Sequence, residues 1–195
     1  MKEKILIGAG GFAREIMADL GHPVKCFVDD MYWTESLYKI SDIDPEHHKV
    51  LVAIGDPIER KKIIDKLPKN VEFWNHISSR AIILDSLQSF GNGSIICAGS
   101  VITTNVHIGN HVQVNINSTI GHDCIISDYV TISPGVNISG NVVIQENVYV
   151  GTNASIRDRI NIESGVIIGM GGAVIRDLDS PGIYTGIPAI KKPNQ

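Results

Sequence analysis

Basic residues are missing from the middle of the sequence: no lysine or arginine occurs between Arg80 and Arg157. A nucleic-acid-binding protein needs a basic surface to neutralise phosphates, so this class is excluded for a 195-residue chain of net charge -4. The sequence also lacks the run of about 20 apolar residues that spans a membrane, and it begins without the pattern of a secretory signal. We therefore expect a cytoplasmic protein without nucleic-acid or membrane partners.

Cysteine is scarce as well: Cys26, Cys97 and Cys124 are widely spaced and form no CxxC motif. This spacing indicates neither a disulfide framework nor a zinc site and is typical of buried free thiols. Aromatic residues make up only 6% of the chain and charged residues 19%. Isoleucine, valine and leucine, in contrast, fill 57 of the 195 positions, and this composition favours strands over a helical bundle.

An apolar residue recurs at every sixth position through the second half of the chain, from Leu84 to Val174. The positions are Leu84, Phe90, Ile96, Ile102, Ile108, Val114, Ile120, Ile126, Ile132, Ile138, Ile144, Val150, Ile156, Ile162, Ile168 and Val174. A second column of small or β-branched residues lies four positions after each of these, from Ser100 to Ala154. A six-residue period with both columns predicts a parallel β-helix of about five three-sided coils between residues 84 and 176.

Glycine and asparagine recur between the apolar positions, for example at Gly121, Gly135, Gly140 and Asn141. These residues tolerate positive φ, so we expect them at the turns of the coils.

The first 75 residues show a different pattern, in which short apolar runs alternate with helical spacing. Strands are predicted at 4–7, 24–28, 50–54 and 71–74, and helices at 12–20 and after Asp56-Pro57. Strands that alternate with helices predict a small parallel α/β sheet.

A glycine turn, Gly8-Ala9-Gly10-Gly11, follows the first predicted strand, and Asp29 lies about 20 residues later. Such a turn lets a phosphate approach the backbone at a helix N-terminus. Because Ala13 replaces the third glycine of the dinucleotide motif and the domain is short, a site for one nucleotide is favoured over a nicotinamide site. The alternative is a glycine turn that only closes a βα unit.

A set of motifs then points to a known family: Gly8-Ala9-Gly10-Gly11, Asp29-Asp30, Ala53-Ile54-Gly55-Asp56, Asn115 and Gly121-His122-Asp123-Cys124. Together they resemble the hexapeptide-repeat sugar acyltransferases of bacteria related to sialic acid O-acetyltransferases. The nearest members are N-acetyltransferases of nucleotide-linked 4-amino-4,6-dideoxysugars. The resemblance implies a small Rossmann-like α/β domain (residues 1–78) followed by a left-handed parallel β-helix with a C-terminal cap (residues 79–195).

The resemblance also implies an activity, acetyl transfer from acetyl-coenzyme A to a sugar amine without a metal, in a homotrimer. It makes His122 the general base, Asp123 its acidic partner and Gly140 the backbone donor to the acetyl carbonyl. The residues implied for the nucleotide sugar are Gly8, Gly10, Gly11, Phe12, Asp29, Asp30, Gly55 and Asn115. Those implied for acetyl-coenzyme A are Gly140, Thr152, Met170, Gly171, Gly172, Ile187 and Pro188. Some relatives carry histidines at two positions where this chain has Phe12 and Thr131.

The residues themselves support part of this reading. His122 lies two positions after the inward-facing Ile120 and so points away from the core, and an imidazole titrates in the range that a base for a sugar amine requires. We place Asn115 in the same turn region as His122. His107 and His111 are interpreted as structural or exposed, and the other histidines, including His76, carry no pattern.

Three alternatives stay open at this point: O-acetylation of a sialic acid or another sugar, a non-catalytic hexapeptide scaffold or sugar-nucleotide sensor, and a metalloenzyme like the γ-class carbonic anhydrases. The last needs three histidines that converge on zinc, and the spacing of His107, His111 and His122 does not match that pattern.

Overall fold

The computed structural model describes residues 2–85 and 89–193 and begins with a five-stranded parallel sheet. Its strands are β1 (Glu3–Ile7), β2 (Cys26–Val28), β3 (Tyr38–Lys39), β4 (His48–Val52) and β5 (Glu72–Phe73). They lie in the order β3-β2-β1-β4-β5 and are all parallel. Two helices, α1 (Gly11–Leu20) and α2 (Pro57–Asp65), complete what we call the front domain. The α/β sheet predicted from the sequence is present, and β3 is a strand that the pattern did not predict.

Helix α2 begins where the sequence indicates. The Asp56 carboxylate accepts hydrogen bonds from the backbone N–H groups of Ile58 and Glu59, both at 2.9 Å, and Pro57 occupies the first helical position. Helix α1 follows the glycine turn directly and ends at Gly21, whose φ of 74° closes the last turn.

Short strands occupy the rest of the described chain. They are β6 (His76–Ile77), β7 (Ile82–Ile83), β8 (Ser89–Phe90), β9 (Ile95–Ile96), β10 (Val101–Ile102), β11 (His107–Ile108), β12 (Gln113–Val114), β13 (Thr119–Ile120), β14 (Ile125–Ile126), β15 (Thr131–Ile132), β16 (Asn137–Ile138), β17 (Val143–Ile144), β18 (Tyr149–Val150), β19 (Ser155–Ile156), β20 (Asn161–Ile162), β21 (Val166–Ile168), β22 (Ala173–Val174), β23 (Gly182–Thr185) and β24 (Ile190–Lys191).

These strands form the three walls of a prism. A six-stranded wall runs β22-β19-β16-β13-β10-β7, a five-stranded wall runs β20-β17-β14-β11-β8, and an eight-stranded wall runs β24-β23-β21-β18-β15-β12-β9-β6. From β8 to β22, successive strands of a wall pair in parallel 18 residues apart, as Val101 pairs with Thr119. Strand β24 is antiparallel to β23 and closes the C-terminal end.

The apolar column fills the axis of this prism from Ile96 onward, where each of its members is at most 3% exposed. The second column, including Ser100, Ser118 and Cys124, is fully buried as well. Leu84 is the exception: it is 62% exposed, and Ile83 packs against the core instead. Seven residues rather than six separate Ile83 from Phe90, so the period slips by one at the first coil.

Positive φ occurs at every sixth residue from 93 to 171, always three positions after an inward residue. Gly135 and Asn141 belong to this series, as expected, but so do Asp123, Tyr129 and Arg159. Gly121 and Gly140 also lie at turns between strands, as expected, but neither has a positive φ. A Cβ on Gly121 would lie 2.7 Å from the Gly140 backbone nitrogen, so this glycine is required by the close approach of the next coil rather than by φ.

The front domain covers the outer face of the eight-stranded wall through buried polar contacts. Arg60 of α2 is fully buried, and its guanidinium donates to the carbonyl oxygens of Ile54 and Gly55 in its own domain. It also donates to the Tyr129 carbonyl oxygen at 2.8 Å and to Thr131 Oγ1 at 3.0 Å in the prism. Burial lowers the pKa of Arg60 to about 9, so the side chain stays cationic at neutral pH.

The chain enters the prism before the predicted domain boundary at residue 78, because His76 and Ile77 already pair with β9. The boundary itself stays a prediction. Within residues 2–85 and 89–193, no helix is long and apolar enough to cross a membrane.

Candidate active site

The turns that join the walls stack into three corners, which separate the candidate residues. We call the corner after the six-stranded wall the dyad corner; it contains residues 121–123 and 139–141. The corner after the eight-stranded wall is the groove corner, and it contains residues 115–117, 133–135, 151–153 and 169–172. The corner after the five-stranded wall, with residues 109–111 and 127–129, is the third corner.

His122 and Asp123 form a hydrogen-bonded pair at the dyad corner. His122 Nδ1 lies 2.6 Å from Asp123 Oδ2, and Asn105 Nδ2 donates to Asp123 Oδ1, also at 2.6 Å. The hydrogen bonds from Asn105 and then from His122 lower the pKa of the Asp123 carboxyl. An ionised carboxylate only accepts, so His122 Nδ1 carries a hydrogen and Nε2 of the neutral ring presents its lone pair to solvent.

Gly140 lies against the open side of this imidazole. A Cβ at position 140 would be 2.5 Å from both Cε1 and Nε2 of His122, so the ring occupies space that only glycine leaves free. The Gly140 N–H makes no hydrogen bond to any residue that the structure describes. A base with a free nitrogen and an unpaired backbone donor therefore lie side by side, 18 residues apart in sequence. The His122 side chain is 57% exposed.

A cleft of about 400 Å³ opens at the carboxyl ends of β1, β2 and β4 in the front domain. Gly8, Gly10 and Asp29 line it, as the sequence predicts, together with Tyr32 and Leu37. Gly8 has φ 109°, and a Cβ there would lie 2.9 Å from the Ala53 carbonyl oxygen. A Cβ on Gly10 would meet nothing within 4 Å, so the backbone at the start of α1 is open to a ligand in the cleft.

Acidic side chains border this cleft at the end of β2. The hydrogen bond from Lys66, followed by the Met31 N–H, lowers the pKa of Asp29. Asp30 begins a short 3-10 turn, and its carboxylate accepts a hydrogen bond from Ser41 Oγ at 3.3 Å.

A second opening, the groove, lies between the front domain and the groove corner and measures about 500 Å³. It brings together residues from both halves of the chain. Five of them were predicted from the sequence: Gly11, Phe12, Gly55, Asn115 and Thr152. Glu15, Asp56, Thr131, Ser133, Pro134 and Tyr149 complete the lining.

Asn115 does not share the turn region of His122, contrary to our expectation. It follows β12 in the eight-stranded wall, whereas His122 follows β13 in the six-stranded wall. Apart from Gly140, which lies at the dyad corner, the remaining residues predicted for the cofactor belong to the groove side. Met170, Gly171 and Gly172 lie at the groove corner, and Ile187 and Pro188 lie between β23 and β24 beside it. Within a single chain, the His122–Asp123 dyad and the groove therefore lie at different corners of the prism.

Comparisons with known proteins agree with this architecture. Residues 4–67 match the family model described as "PglD N-terminal domain". The chain is 31% identical over 142 residues to GDP-perosamine N-acetyltransferase of Escherichia coli O157:H7, an alignment that covers 64% of each protein. The chain thus spans less than two thirds of that relative's length.

Two solved structures match over nearly the whole chain. The acetyltransferase domain of PglB from Neisseria gonorrhoeae FA1090, in complex with acetyl coenzyme A, is 27% identical with a TM-score of 0.86 and covers 98% of this chain and 100% of its own. PerB from Caulobacter crescentus, in complex with CoA and GDP-perosamine, is 25% identical with a TM-score of 0.88 and covers 99% and 98%.

The chain is therefore similar to sugar N-acetyltransferases in sequence and in fold. The resemblance predicted from the sequence is thereby confirmed, as is the fold of a Rossmann-like α/β domain followed by a left-handed parallel β-helix.

Several buried polar residues of this hexapeptide-repeat protein were not indicated by any pattern in the sequence. His76, which showed no pattern, is buried and lies 2.9 Å from Asp19, which also accepts from Arg80. Arg60 looks like an ordinary surface cation of an amphipathic helix, since its partners in the prism are about 70 positions away in sequence. His111 is buried, as its structural interpretation allows, and stacks on Tyr129 at the third corner.

One sequence signal could have separated the candidate residues. His122 and Gly140 are 18 positions apart and share a corner, whereas Asn115 and His122 are 7 apart and do not. Position within the 18-residue coil assigns each turn residue to its corner. Within the part of the chain that the structure describes, no three His, Cys, Asp or Glu side chains form a group that could hold a metal ion.

Proposed function

We propose that this protein is an acetyl-CoA-dependent N-acetyltransferase that acts on the amino group of a nucleotide-linked 4-amino-4,6-dideoxysugar. The observation that carries the proposal is His122, held by an ionised Asp123 with its second nitrogen free, beside the unpaired N–H of Gly140. Relatives that match most of the chain support it: one was solved with CoA and GDP-perosamine, and another with acetyl coenzyme A.

In this proposal, the nucleotide occupies the front-domain cleft. The open backbone at Gly10 and Gly11 faces the start of α1, where unpaired N–H groups favour a phosphate. Asp29 and Asp30 lie at the end of β2, within reach of the ribose or base. The sugar extends into the groove toward Phe12, Gly55 and Asn115, which line its walls.

Acetyl-coenzyme A is proposed to lie along the groove corner. Thr152 lines the groove, and Met170 is 80% exposed farther along the same corner. A Cβ at Gly171 would meet nothing within 4 Å, so a narrow pantetheine arm can approach the backbone there. Gly172, Ile187 and Pro188 would contact the arm beside the C-terminal cap. The shared cytoplasmic supply of acetyl-CoA and nucleotide sugars makes the cytoplasm the proposed location.

The reaction proposed is direct attack within a ternary complex. The sugar ammonium gives one proton to His122 Nε2, which passes it to solvent, and the lone pair of the neutral amine attacks the thioester carbonyl. His122 Nε2 then accepts the second proton, which the nitrogen loses as the amide forms. A C–N bond forms, the C–S bond breaks, and the departing thiolate is neutralised by the proton that His122 holds. The Gly140 N–H donates to the oxyanion of the intermediate, a contribution of about 3 kcal/mol in comparable sites.

A homotrimer would reunite the two halves of this site. The dyad and the groove lie on different corners of one chain, so neither the base nor the acceptor site is complete alone. In a cyclic trimer, the dyad corner of one subunit meets the groove corner of the next, and three equivalent sites result.

The test measures release of free thiol from acetyl-CoA with a panel of acceptors: nucleotide-linked 4-amino sugars with UDP, GDP or dTDP, the matching 4-hydroxy sugars, and sialic acids. We expect thiol release with an amino sugar and mass-spectrometric detection of an N-acetyl product. Turnover of sialic acid alone would favour O-acetylation. No turnover with any acceptor would contradict the enzymatic proposal, and an acetylated enzyme on the reaction path would contradict direct attack.

A further inference from the structure

The groove between the two domains contains one carboxylate with no partner. Glu15 on α1 lines the groove and also a neighbouring cavity that Cys97 and Arg80 line, and its carboxylate makes no hydrogen bond or ion pair with any described residue. The only other acid of the lining, Asp56, is committed as the cap of α2, where it accepts two backbone N–H groups. Among acidic groups at the groove, Glu15 alone is therefore available to a ligand.

The rest of the lining is neutral and rich in hydrogen-bonding groups. Thr131, Ser133, Tyr149 and Thr152 contribute hydroxyl groups, and Asn115 contributes an amide. No lysine, arginine or histidine lines the groove. Such a surface suits a polyol, and its net negative charge disfavours the phosphates of a nucleotide or of coenzyme A.

Three nearby cations leave Glu15 without an ion pair. Arg80, which lines the neighbouring cavity with Glu15, is bound to Asp19. Arg14, its neighbour on α1, turns toward the glycine turn, where its guanidinium contacts the Ala9 carbonyl oxygen at 3.4 Å. Arg60 lies behind the wall at Thr131, fully buried, with its two terminal guanidinium nitrogens bound to carbonyl oxygens and to Thr131 Oγ1. The groove therefore has a positive charge behind one wall and a free carboxylate at Glu15, and a cationic group that enters is drawn toward Glu15.

We propose that Glu15 is the specificity-determining residue for the acceptor's amino group. Its carboxylate accepts a charge-assisted hydrogen bond from the sugar ammonium, while the hydroxyl groups of the groove bind the sugar ring. After one proton has left for the base, the neutral amine still donates an N–H to Glu15. A sugar with a hydroxyl at the same carbon loses the charge-assisted part of this bond and binds less tightly. This inference rests on the proposed function and adds the group that distinguishes an amine from a hydroxyl acceptor.

The experiment measures binding of two probes that differ at one atom, a nucleotide-linked 4-amino-4,6-dideoxysugar and its 4-hydroxy counterpart. Calorimetry gives the Kd of each for the full-length wild type, Glu15→Gln, Glu15→Asp and the control Glu163→Gln, an exposed glutamate at the third corner. Glutamine preserves size and removes only the charge. Steady-state kinetics then give KM for the amino sugar and, separately, for acetyl-CoA.

We expect the wild type and Glu163→Gln to prefer the amino sugar by about tenfold, the scale of a hydrogen bond to a charged group. Glu15→Gln should lose this preference because it weakens the amino sugar alone, with the KM for acetyl-CoA unchanged, and Glu15→Asp should keep part of it. Retention of the full preference by Glu15→Gln, or equal weakening of both probes, would overturn the inference. If the wild type itself acetylates no amino sugar, the proposed function fails first, and that result is distinct from an active wild type whose Glu15→Gln variant is unchanged.

Discussion

The face of the prism beneath the front domain and the dyad corner differ in how their polar groups are satisfied. Under the front domain, Arg60 and Thr131 are buried and bonded to carbonyl oxygens of both domains. At the dyad corner, His122 is bonded only on its Nδ1 side, and its side chain remains more than half exposed. Polar groups on the covered face stabilise the contact between the front domain and the prism, whereas those at the dyad corner remain available for chemistry. Changes on the two surfaces should therefore separate stability from activity.

The largest effect is expected at the dyad corner. His122→Gln removes the proposed base, so kcat should fall about 10²- to 10⁴-fold, while the melting temperature stays unchanged because the ring is exposed. Thiol-release kinetics and thermal denaturation check the two halves of this prediction. His47→Gln is a matched control, since His47 also pairs with an aspartate and is exposed. Near-normal turnover in His122→Gln would remove the imidazole from the proposed reaction.

A mixing experiment tests whether the two corners cooperate across subunits. Gly10→Glu places a carboxylate in the front-domain cleft, where a side chain has open space, and should abolish nucleotide binding without unfolding. Each of Gly10→Glu and His122→Gln should be inactive alone. Co-expressed in equal amounts, they should recover about a quarter of wild-type activity, since a quarter of the sites in random trimers combine two intact halves. No recovery in a verified mixed oligomer would place the whole site within one chain.

On the covered face, the expected effect is on stability. Arg60→Met leaves several buried carbonyl oxygens without a donor, and the free energy of unfolding should fall by about 3 kcal/mol. Urea denaturation at fixed protein concentration measures the change. Arg157→Met, which alters an exposed arginine, should leave stability nearly unaltered. Equal stability of the two variants would show that the contacts of Arg60 do not hold the front domain in place.

A pH dependence of stability is expected at the edge of the covered face, and it is confined to acid pH. Burial, followed by the charge of Arg60, lowers the pKa of His111 to about 4, and the charge of Asp128 opposes this shift. Because the unfolded chain binds a proton near pH 6.5 and the folded protein only near 4, His111 costs stability as the pH falls between these values, at most roughly 3 kcal/mol. His111→Phe, placed between Phe73 and Tyr129, should flatten the acid limb of a stability-against-pH curve. If the stability-against-pH curves of the wild type and His111→Phe ran parallel, the loss of stability at acid pH could not be assigned to His111.

Periodic features could be predicted from the sequence because each coil repeats the same local environment. The inward column from Ile96 onward follows directly from the six-residue period, and the exposure of His122 follows from its offset to Ile120. The prediction that Leu84 faces inward was wrong, because one extra residue between Ile83 and Phe90 shifts the period. The fold followed from the repeat and the resemblance from the motifs, but the assignment of residues to substrate and cofactor remains a prediction.

Features that depend on contact between distant segments could not be predicted. Arg60 gives no sign in its own helix that it binds carbonyl oxygens of residues 129 and 130. The pairing of His76 with Asp19 likewise joins positions 57 apart. The sequence indicates only that Glu15 is a surface residue of α1. Its position in the groove could not be predicted, because the groove forms where the front domain packs against the prism.

The regular register of the walls has a consequence for how such a chain can change in length. From β8 to β22, neighbouring strands along the axis pair residues that are 18 apart. Insertion or removal of one whole coil would leave the pairing above and below it in phase, whereas any segment that is not a multiple of six would move aliphatic side chains to the outside of the prism. The distance between the dyad and the C-terminal cap can therefore change only by whole coils. Each coil adds one strand spacing along the axis of the prism.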